Sequence, residues 1–225
     1  MYKDYELMEI QTEVLFKIDH LKRITEINES TDLIAPFFFL GRTKEGNVIR
    51  FNKTFPDHHK IKIFEVVNNN QNNIELGNLI MNVSKLKQIN KIWMGPAYVF
   101  PENFNMTSNA IKITNDNKEL LRMGFPNLIQ HFEKRQPVYA IIQNGIAVSV
   151  CCSARKSSRG AEASVETLDS YQGCGYGTSS VIAWANEIRK AALYPLYSTA
   201  WDNFSSQTIA KKLNLYKYGV DLHIS

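Results

Sequence analysis

The sequence predicts an α/β (α+β layered) fold. A mixed, mostly antiparallel central sheet carries helices on both faces, and an N-terminal α+β extension precedes it. Three observations carry this expectation. A strand-like segment, 163–168, runs into Tyr171-Gln172-Gly173-Cys174-Gly175-Tyr176-Gly177-Thr178-Ser179-Ser180, and a helix-like segment, 178–191, leads out of it. Segments 137–143 and 146–153 read as strands joined by Asn144-Gly145, a strong two-residue hairpin signal. Downstream, 194–199 reads as a strand, 204–213 as a helix with Ile209, Ala210 and Leu213 inward, and 216–224 as a closing strand.

The remaining elements follow in chain order. Segment 5–16 has Leu7, Ile10, Val14 and Leu15 on one helical side. Short strand-like pieces span 14–18, 23–27, 36–42 and 47–52, with Thr43-Lys44-Glu45-Gly46 as the turn between the last two. The aromatic run Pro36-Phe37-Phe38-Phe39-Leu40 is expected to be buried strand. Segments 57–67 and 79–89 read as helices, with Leu86, Ile89 and Ile92 as core, and the polar tract 68–73 as an exposed loop. The character changes at Gly95-Pro96, which suggests a division into 1–94 and 95–225. Beyond it, 111–114 reads as a strand, 118–123 and 126–133 as short helices, and 161–168 as the strand before the glycine stretch.

Composition narrows the function classes. Hydrophobic content of 44% and charged content of 21% over 225 residues suit a globular chain with a real core. Net charge is +4 and the lysines fall in short scattered groups, which argues against a nucleic-acid footprint. Cys151 and Cys152 are neighbours in an apolar run, and with Cys174 they give neither a disulfide framework nor metal-site spacing. No metal is expected. His58 and His59 sit in a polar stretch and read as solvent-facing. No apolar run suggests a signal peptide or a membrane span, so no membrane partner is expected and a reducing, cytoplasmic setting fits.

The glycine stretch carries most of the chemistry. Alternate glycines allow a sharp turn and close approach of backbone to a ligand. The following helix directs its free N–H groups and the positive end of its dipole at that turn. Such an arrangement binds phosphate or pyrophosphate; the alternative is a tight turn without a ligand. A dinucleotide fingerprint starting at Gly173 would need glycine at 178, where Thr178 stands. Cys174 lies near a helix N-terminus, a place that lowers a thiol pKa, but no histidine lies nearby in the sequence to serve as its base.

Gln172-Gly173-Cys174-Gly175-Tyr176-Gly177 matches in full the Gln/Arg-x-x-Gly-x-Gly/Ala loop between the fourth strand and third helix of the GNAT N-acetyltransferase superfamily. The strand at 194–199, Asn203 at a turn and the helix after it match too, so 95–225 resembles that superfamily. Four blocks are similar to a zwittermicin A resistance-type subgroup: Gly41-Arg42-Thr43-Lys44-Glu45-Gly46-Asn47, Gly95-Pro96-Ala97-Tyr98, Ala163-Ser164-Val165-Glu166-Thr167 and Pro195-Leu196-Tyr197-Ser198-Thr199-Ala200-Trp201-Asp202-Asn203.

The resemblance implies an acetyl-CoA-dependent N-acetyltransferase that acylates a primary amine of a small molecule in a ternary complex, with a homodimer among the expected assemblies. A non-catalytic acyl-CoA sensor is the alternative. The cofactor-binding residues would be Gln172, Gly173, Cys174, Gly175, Tyr176, Gly177 and Thr178 around the pyrophosphate. Thr167 and Leu168 would offer strand-edge groups to the pantetheine arm, and Asn203 and Ser206 would make further contacts, Asn203 also being a natural helix cap. The amine must lose a proton before it can attack. Glu162 and Glu166, four apart on one strand with Ser164 between them, share a face and form a base-and-anchor pair; a structural ion pair with Arg155, Lys156 or Arg159 is the competing role. A strand bulge would break that parity. The superfamily's tyrosine acid, seven residues after Asn203, is Ala210 here. Tyr197, Ser198, Ser206, Tyr216 and Tyr218 are the other hydroxyl candidates. Trp93, Tyr98 and Phe100 are candidates for an acceptor-pocket wall.

Overall fold

The computed structural model describes residues 3–29, 34–68 and 75–225; most of the expected loop at 68–73 lies outside them. The chain groups into two compact units, Met1–Ala97 with Tyr218–Ser225, and Tyr98–Lys217. The closing strand, which the sequence reading kept with the second segment, therefore clusters mainly with the first.

In the first unit, α1 (Asp4–Leu15) passes directly into β1 (Phe16–Ile18), which pairs antiparallel with β2 (Ile24–Ile27). The aromatic run after residue 36 forms β3 (Phe38–Arg42), which pairs antiparallel with β4 (Asn47–Phe51). The expected turn closes with Thr43 N–H donating to the Gly46 carbonyl at 3.0 Å. After α2 (Asp57–Asn68) and α3 (Leu76–Ser84) comes β5 (Ile92–Val99), and the final strand β11 (Tyr216–Ile224) pairs antiparallel with β3. Phe37, Phe38, Leu40, Val67, Leu79, Leu222 and Ile224 share one buried cluster.

Local patterning and structure differ at two places here. The strand β5 runs through Gly95-Pro96, which the sequence reading assigned to no element, although neither residue favours a strand interior. Helix α3 ends at Ser84, and Leu86 follows in a turn, its N–H donating to the Val83 carbonyl. Leu86 and Ile89 still pack on the core, but Ile92 is 43% exposed rather than buried.

In the second unit the strand order runs from the end of β5 through β10 (Tyr194–Ser198), β9 (Gly160–Thr167), β8 (Ile146–Lys156) and β7 (Val138–Gln143) to β6 (Ile111–Ile113). The β9–β10 pair is parallel, and β8–β9, β7–β8 and β6–β7 are antiparallel. Asn144 and Gly145 adopt φ of 50° and 80°, the left-handed pair that their hairpin turn requires. One sheet face packs Cys151, Ala161 and Tyr197 against α5 (Tyr176–Lys190) and α6 (Phe204–Lys212). The other packs Val138, Val150 and Cys152 against Leu121, Phe125 and Phe132, which belong to the short helical stretch around α4 (Pro126–Gln130). Small serines on β8 hold α5 in place: Trp184 Nε1 donates to Ser153 Oγ at 3.1 Å. Among the described residues, no helix is long and apolar enough to cross a membrane.

Candidate active site

The β9–β10 pairing stops at Glu162–Leu196. Beyond it β9 runs on for five residues with β8 alone. Leu168 N–H donates to the Val148 carbonyl, and the Glu166 carbonyl accepts from Ser149 Oγ at 3.3 Å, so both look toward β8. The two-residue period turns the main-chain groups of Val165 and Thr167 to the opposite edge, where β10 has departed. Leu168, expected to offer edge groups, has both engaged, since its carbonyl also accepts from Tyr171 N–H. That is a correction to the sequence reading; the main-chain groups on the open edge are those of Val165 and Thr167.

At the end of β9 the chain makes the glycine turn. Gly173 and Gly175 sit at φ of 78° and 79°, a region that L side chains rarely adopt. Glycine is required there for its backbone conformation. Gly177 has a different reason: a Cβ would lie 3.2 Å from Thr167 Oγ1 and 3.4 Å from Ile209 Cδ1, so its lack of a side chain lets α5 approach the open strand edge. Helix α5 begins two residues earlier than expected, at Tyr176, with Gly175 as its cap. The first helical bond from its start is Ser179 N–H to the Gly175 carbonyl at 3.0 Å. The N–H groups of Tyr176, Gly177 and Thr178 thus have no intrahelical acceptor. No acidic residue occupies the first turn and Arg189 and Lys190 occupy the last, so the dipole's positive end stays uncancelled.

These elements enclose a cleft of about 430 Å³. Val165, Glu166, Thr167, Gln172, Gly173, Gly175, Tyr176, Gly177, Thr178, Asn203 and Ser206 line it, which gathers most of the residues singled out from the sequence. Cys174 and Leu168 do not line it; the Cys174 side chain is exposed, its Sγ directed at the Gln172 carbonyl. Asn203 does cap α6, its Oδ1 accepting from Ser206 N–H at 3.0 Å. Sequence reasoning missed Tyr171, Ser205, Thr208, Ile209 and Lys212. The last four repeat at the 3.6-residue period, so one face of α6 was the available signal.

The two glutamates meet different surroundings. The register shift on this strand pair falls in β8, between Ser153 and Arg155, which leaves β9 regular from Gly160 to Thr167. Glu162, Ser164 and Glu166 therefore keep one face. Glu162 is buried, accepts from Arg155 Nη1 at 3.0 Å on one oxygen and takes a short hydrogen bond from Ser198 Oγ on the other. Glu166 is exposed and lines both the cleft and a second cavity, which contains Ser164 as well.

The hydroxyl candidates also separate. Ser198 donates to Glu162, Tyr218 donates to Gln11, and Tyr216 is exposed. Tyr197 packs in one cluster with Ala210, and burial holds its phenol well above the ordinary value, with Ser206 beside it acting in the opposite direction. Of these side chains Ser206 is the one that lines the cleft. Neither cavity is lined by Trp93, Tyr98 or Phe100.

No curated protein matches the chain. Among solved structures it is similar to a GNAT-family protein from Novosphingobium aromaticivorans, at 12% identity and TM-score 0.51, covering 61% of this chain and 65% of that one. It is similar also to a GNAT-family acetyltransferase from Colwellia psychrerythraea, at 9% identity and TM-score 0.50, covering 100% and 97%. These likenesses speak to the fold alone. The sequence profile of the GNAT acetyltransferase family matches residues 22–219, through both glutamates, the glycine turn and α6. With a match over nearly the whole length, the chain belongs to the GNAT acetyltransferase family.

Proposed function

We propose that this acetyltransferase moves the acetyl group of acetyl-CoA to a primary amine of a small molecule, by direct attack within a ternary complex. The observation that carries the reading is the cleft itself. A glycine turn, a bare helix N-terminus and an unpaired strand edge line one cavity, and together they suit a pyrophosphate followed by an extended amide-bearing arm. In this assignment the N–H groups of Tyr176, Gly177 and Thr178 hold the pyrophosphate. Val165 and Thr167 pair with the arm, Asn203 and Ser206 frame its far side, and Lys212 adds a positive charge. Acetyl-CoA supplies an acyl group already activated as a thioester.

Glu166 takes the proton of the acceptor ammonium, directly or through water. The freed nitrogen lone pair attacks the carbonyl carbon, an N–C bond forms, and the C–S bond breaks with its electron pair leaving on sulfur. A thiolate of ordinary pKa about 8.5 is a tolerable leaving group and can be protonated by solvent, which fits alanine at 210. Glu162 is a positioning residue that fixes β9 to Ser198 and Arg155. A cysteine-bound intermediate is disfavoured by the outward Cys174 side chain. The four sequence blocks support placing the chain near the zwittermicin A resistance-type subgroup.

Calorimetry with acetyl-CoA and thiol release in the presence of amines test the reading. Gly175→Glu is expected to lose acetyl-CoA binding while the circular dichroism spectrum is kept. It forces a side chain into the left-handed region, at roughly 1–2 kcal/mol, and sets a carboxylate beside the anion site. Unaltered affinity would overturn the loop assignment. The second reading, a sensor that binds acyl-CoA without turnover, is favoured by Ala210 and is excluded by steady, amine-dependent thiol release.

A further inference from the structure

We infer that Lys212 recognises the phosphate on the ribose of the CoA donor, the 3′-phosphate, and so makes the site select CoA over dephospho-CoA. The inference deepens the reading above and rests on its cofactor assignment. Helix α6 serves as a ruler along the cleft. Its lining residues run from the cap Asn203 through Ser205, Ser206, Thr208 and Ile209 to Lys212. A Cβ on Gly177 would lie 3.4 Å from Ile209 Cδ1. The bare N-terminus of α5, which takes the pyrophosphate in this reading, is therefore level with Ile209. Asn203 lies six residues to one side of that level, roughly 9 Å along the axis, and Lys212 three residues to the other, roughly 4.5 Å. Gln207 Nε2 donates to the Ala200 and Trp201 carbonyls at 3.2 and 2.8 Å, which folds the connection from β10 onto the Asn203 end. The gap between that connection and the open edge of β9 takes the pantetheine arm. The nucleotide then leaves the pyrophosphate on the other side, toward Lys212.

The charges agree with this order. Among the described residues, Lys212 is the one lysine or arginine that lines the cleft. It is exposed, and it makes no ion pair with any described residue. A lysine in the last turn of a helix also complements the helix dipole. Lys211 does so equally and does not line the cleft, so the dipole does not account for Lys212 facing it. The pyrophosphate is already met by the N–H groups of Tyr176, Gly177 and Thr178 and by the dipole of α5. What remains unmatched on the donor is the phosphate on its ribose. What remains unmatched in the cleft is an ammonium about one helical turn beyond the pyrophosphate. Lysine binds phosphate as a point charge, and its flexible stem lets the ammonium follow the group. Dephospho-CoA has nothing to place there.

The test is calorimetry at low salt with CoA and with dephospho-CoA, which differ by that phosphate alone. The native protein is expected to bind CoA about fivefold more tightly, the scale of one exposed charge pair. In Lys212→Ala the preference should fall below about twofold, through a loss of CoA affinity with little change for dephospho-CoA. Lys211→Ala should keep the preference and Lys212→Glu should invert it. Raising the salt should shrink it in the native protein. Equal affinity of the native protein for the two ligands would overturn the proposal. So would an equal loss for both ligands in Lys212→Ala, which would assign Lys212 to the pyrophosphate, or a preference lost equally in Lys211→Ala. Thiol release with amines on the same preparation separates this proposal from the transfer reading. Turnover of acetyl-CoA and acetyl-dephospho-CoA at equal KM overturns the Lys212 assignment and leaves the transfer reading standing. A Lys212-dependent preference in binding without turnover upholds the assignment and favours the sensor. Binding of neither ligand overturns both.

Discussion

Glu162 gives one carboxylate oxygen to Arg155 and the other to Ser198, while Glu166 faces two cavities. Neutralising each should therefore have a different result. Glu162→Gln weakens a buried charge-assisted pair and is expected to lower stability by roughly 1–3 kcal/mol, read as a fall in Tm. Glu166→Gln should leave Tm nearly unchanged and lower kcat about a hundredfold or more, the usual scale for a lost general base. A collapse of kcat in Glu162→Gln at unchanged Tm, with Glu166→Gln fully active, would reverse the assignment. The cysteines give a second check at this scale. Burial holds the Cys151 thiol well above its ordinary range, whereas Cys174 is exposed. DTNB at pH 8 should label Cys174 quickly and Cys151 after unfolding; rapid labelling of Cys151 in the native protein would contradict its burial. The glycines were legible in the sequence because their spacing is local, but their separate reasons were not. Positive φ at Gly173 and Gly175, and the approach to Thr167 at Gly177, depend on a helix and a strand edge that meet only in the fold.

Helix α6 presents Ser205, Thr208, Ile209 and Lys212 to the cleft as a single stripe. Lys212 is its last residue, and Lys211 next to it is outside the lining. Lys212→Ala is expected to weaken acetyl-CoA binding roughly fivefold, the scale of about 1 kcal/mol for an exposed charge pair. The loss should shrink as salt is raised. Lys211→Ala should change affinity less than twofold; equal effects from both would mean a diffuse charge effect and no site at Lys212. Elements with strong local patterning, such as β4, the Asn144-Gly145 hairpin and β11, could be read from the chain. Strand β5 could not, because Gly95-Pro96 argues locally against a strand and neighbouring strands override that preference. The bulge that would have broken the shared face of Glu162 and Glu166 lies on β8 and not on β9, since a register shift is a property of a pair and either strand can absorb it.

The first compact unit is discontinuous, Met1–Ala97 with Tyr218–Ser225. Leu222 and Ile224 are buried there at 3% and 0% exposure, and β11 is paired with β3. A fragment cut at the sequence-suggested boundary, 95–225, would lose that partner strand and expose both side chains, at about 1.5–3 kcal/mol each. We expect it to be insoluble or to unfold at clearly lower urea than the full chain; a fragment as stable as the whole would contradict this. The boundary was only partly legible because the composition shift at Gly95-Pro96 is local, while the return of β11 to the first unit is a long-range pairing. The regularity of β9 bears on which changes the protein can survive over its history. Its side chains of one parity face the second cavity, while main-chain groups of the other parity meet the cleft. Substitutions along it can be sampled one at a time. Inserting or deleting one residue would exchange the two sets at once. In this strand the sequence behaves like a reading frame: divergence should accumulate as replacements, and length changes should be confined to the loops on either side.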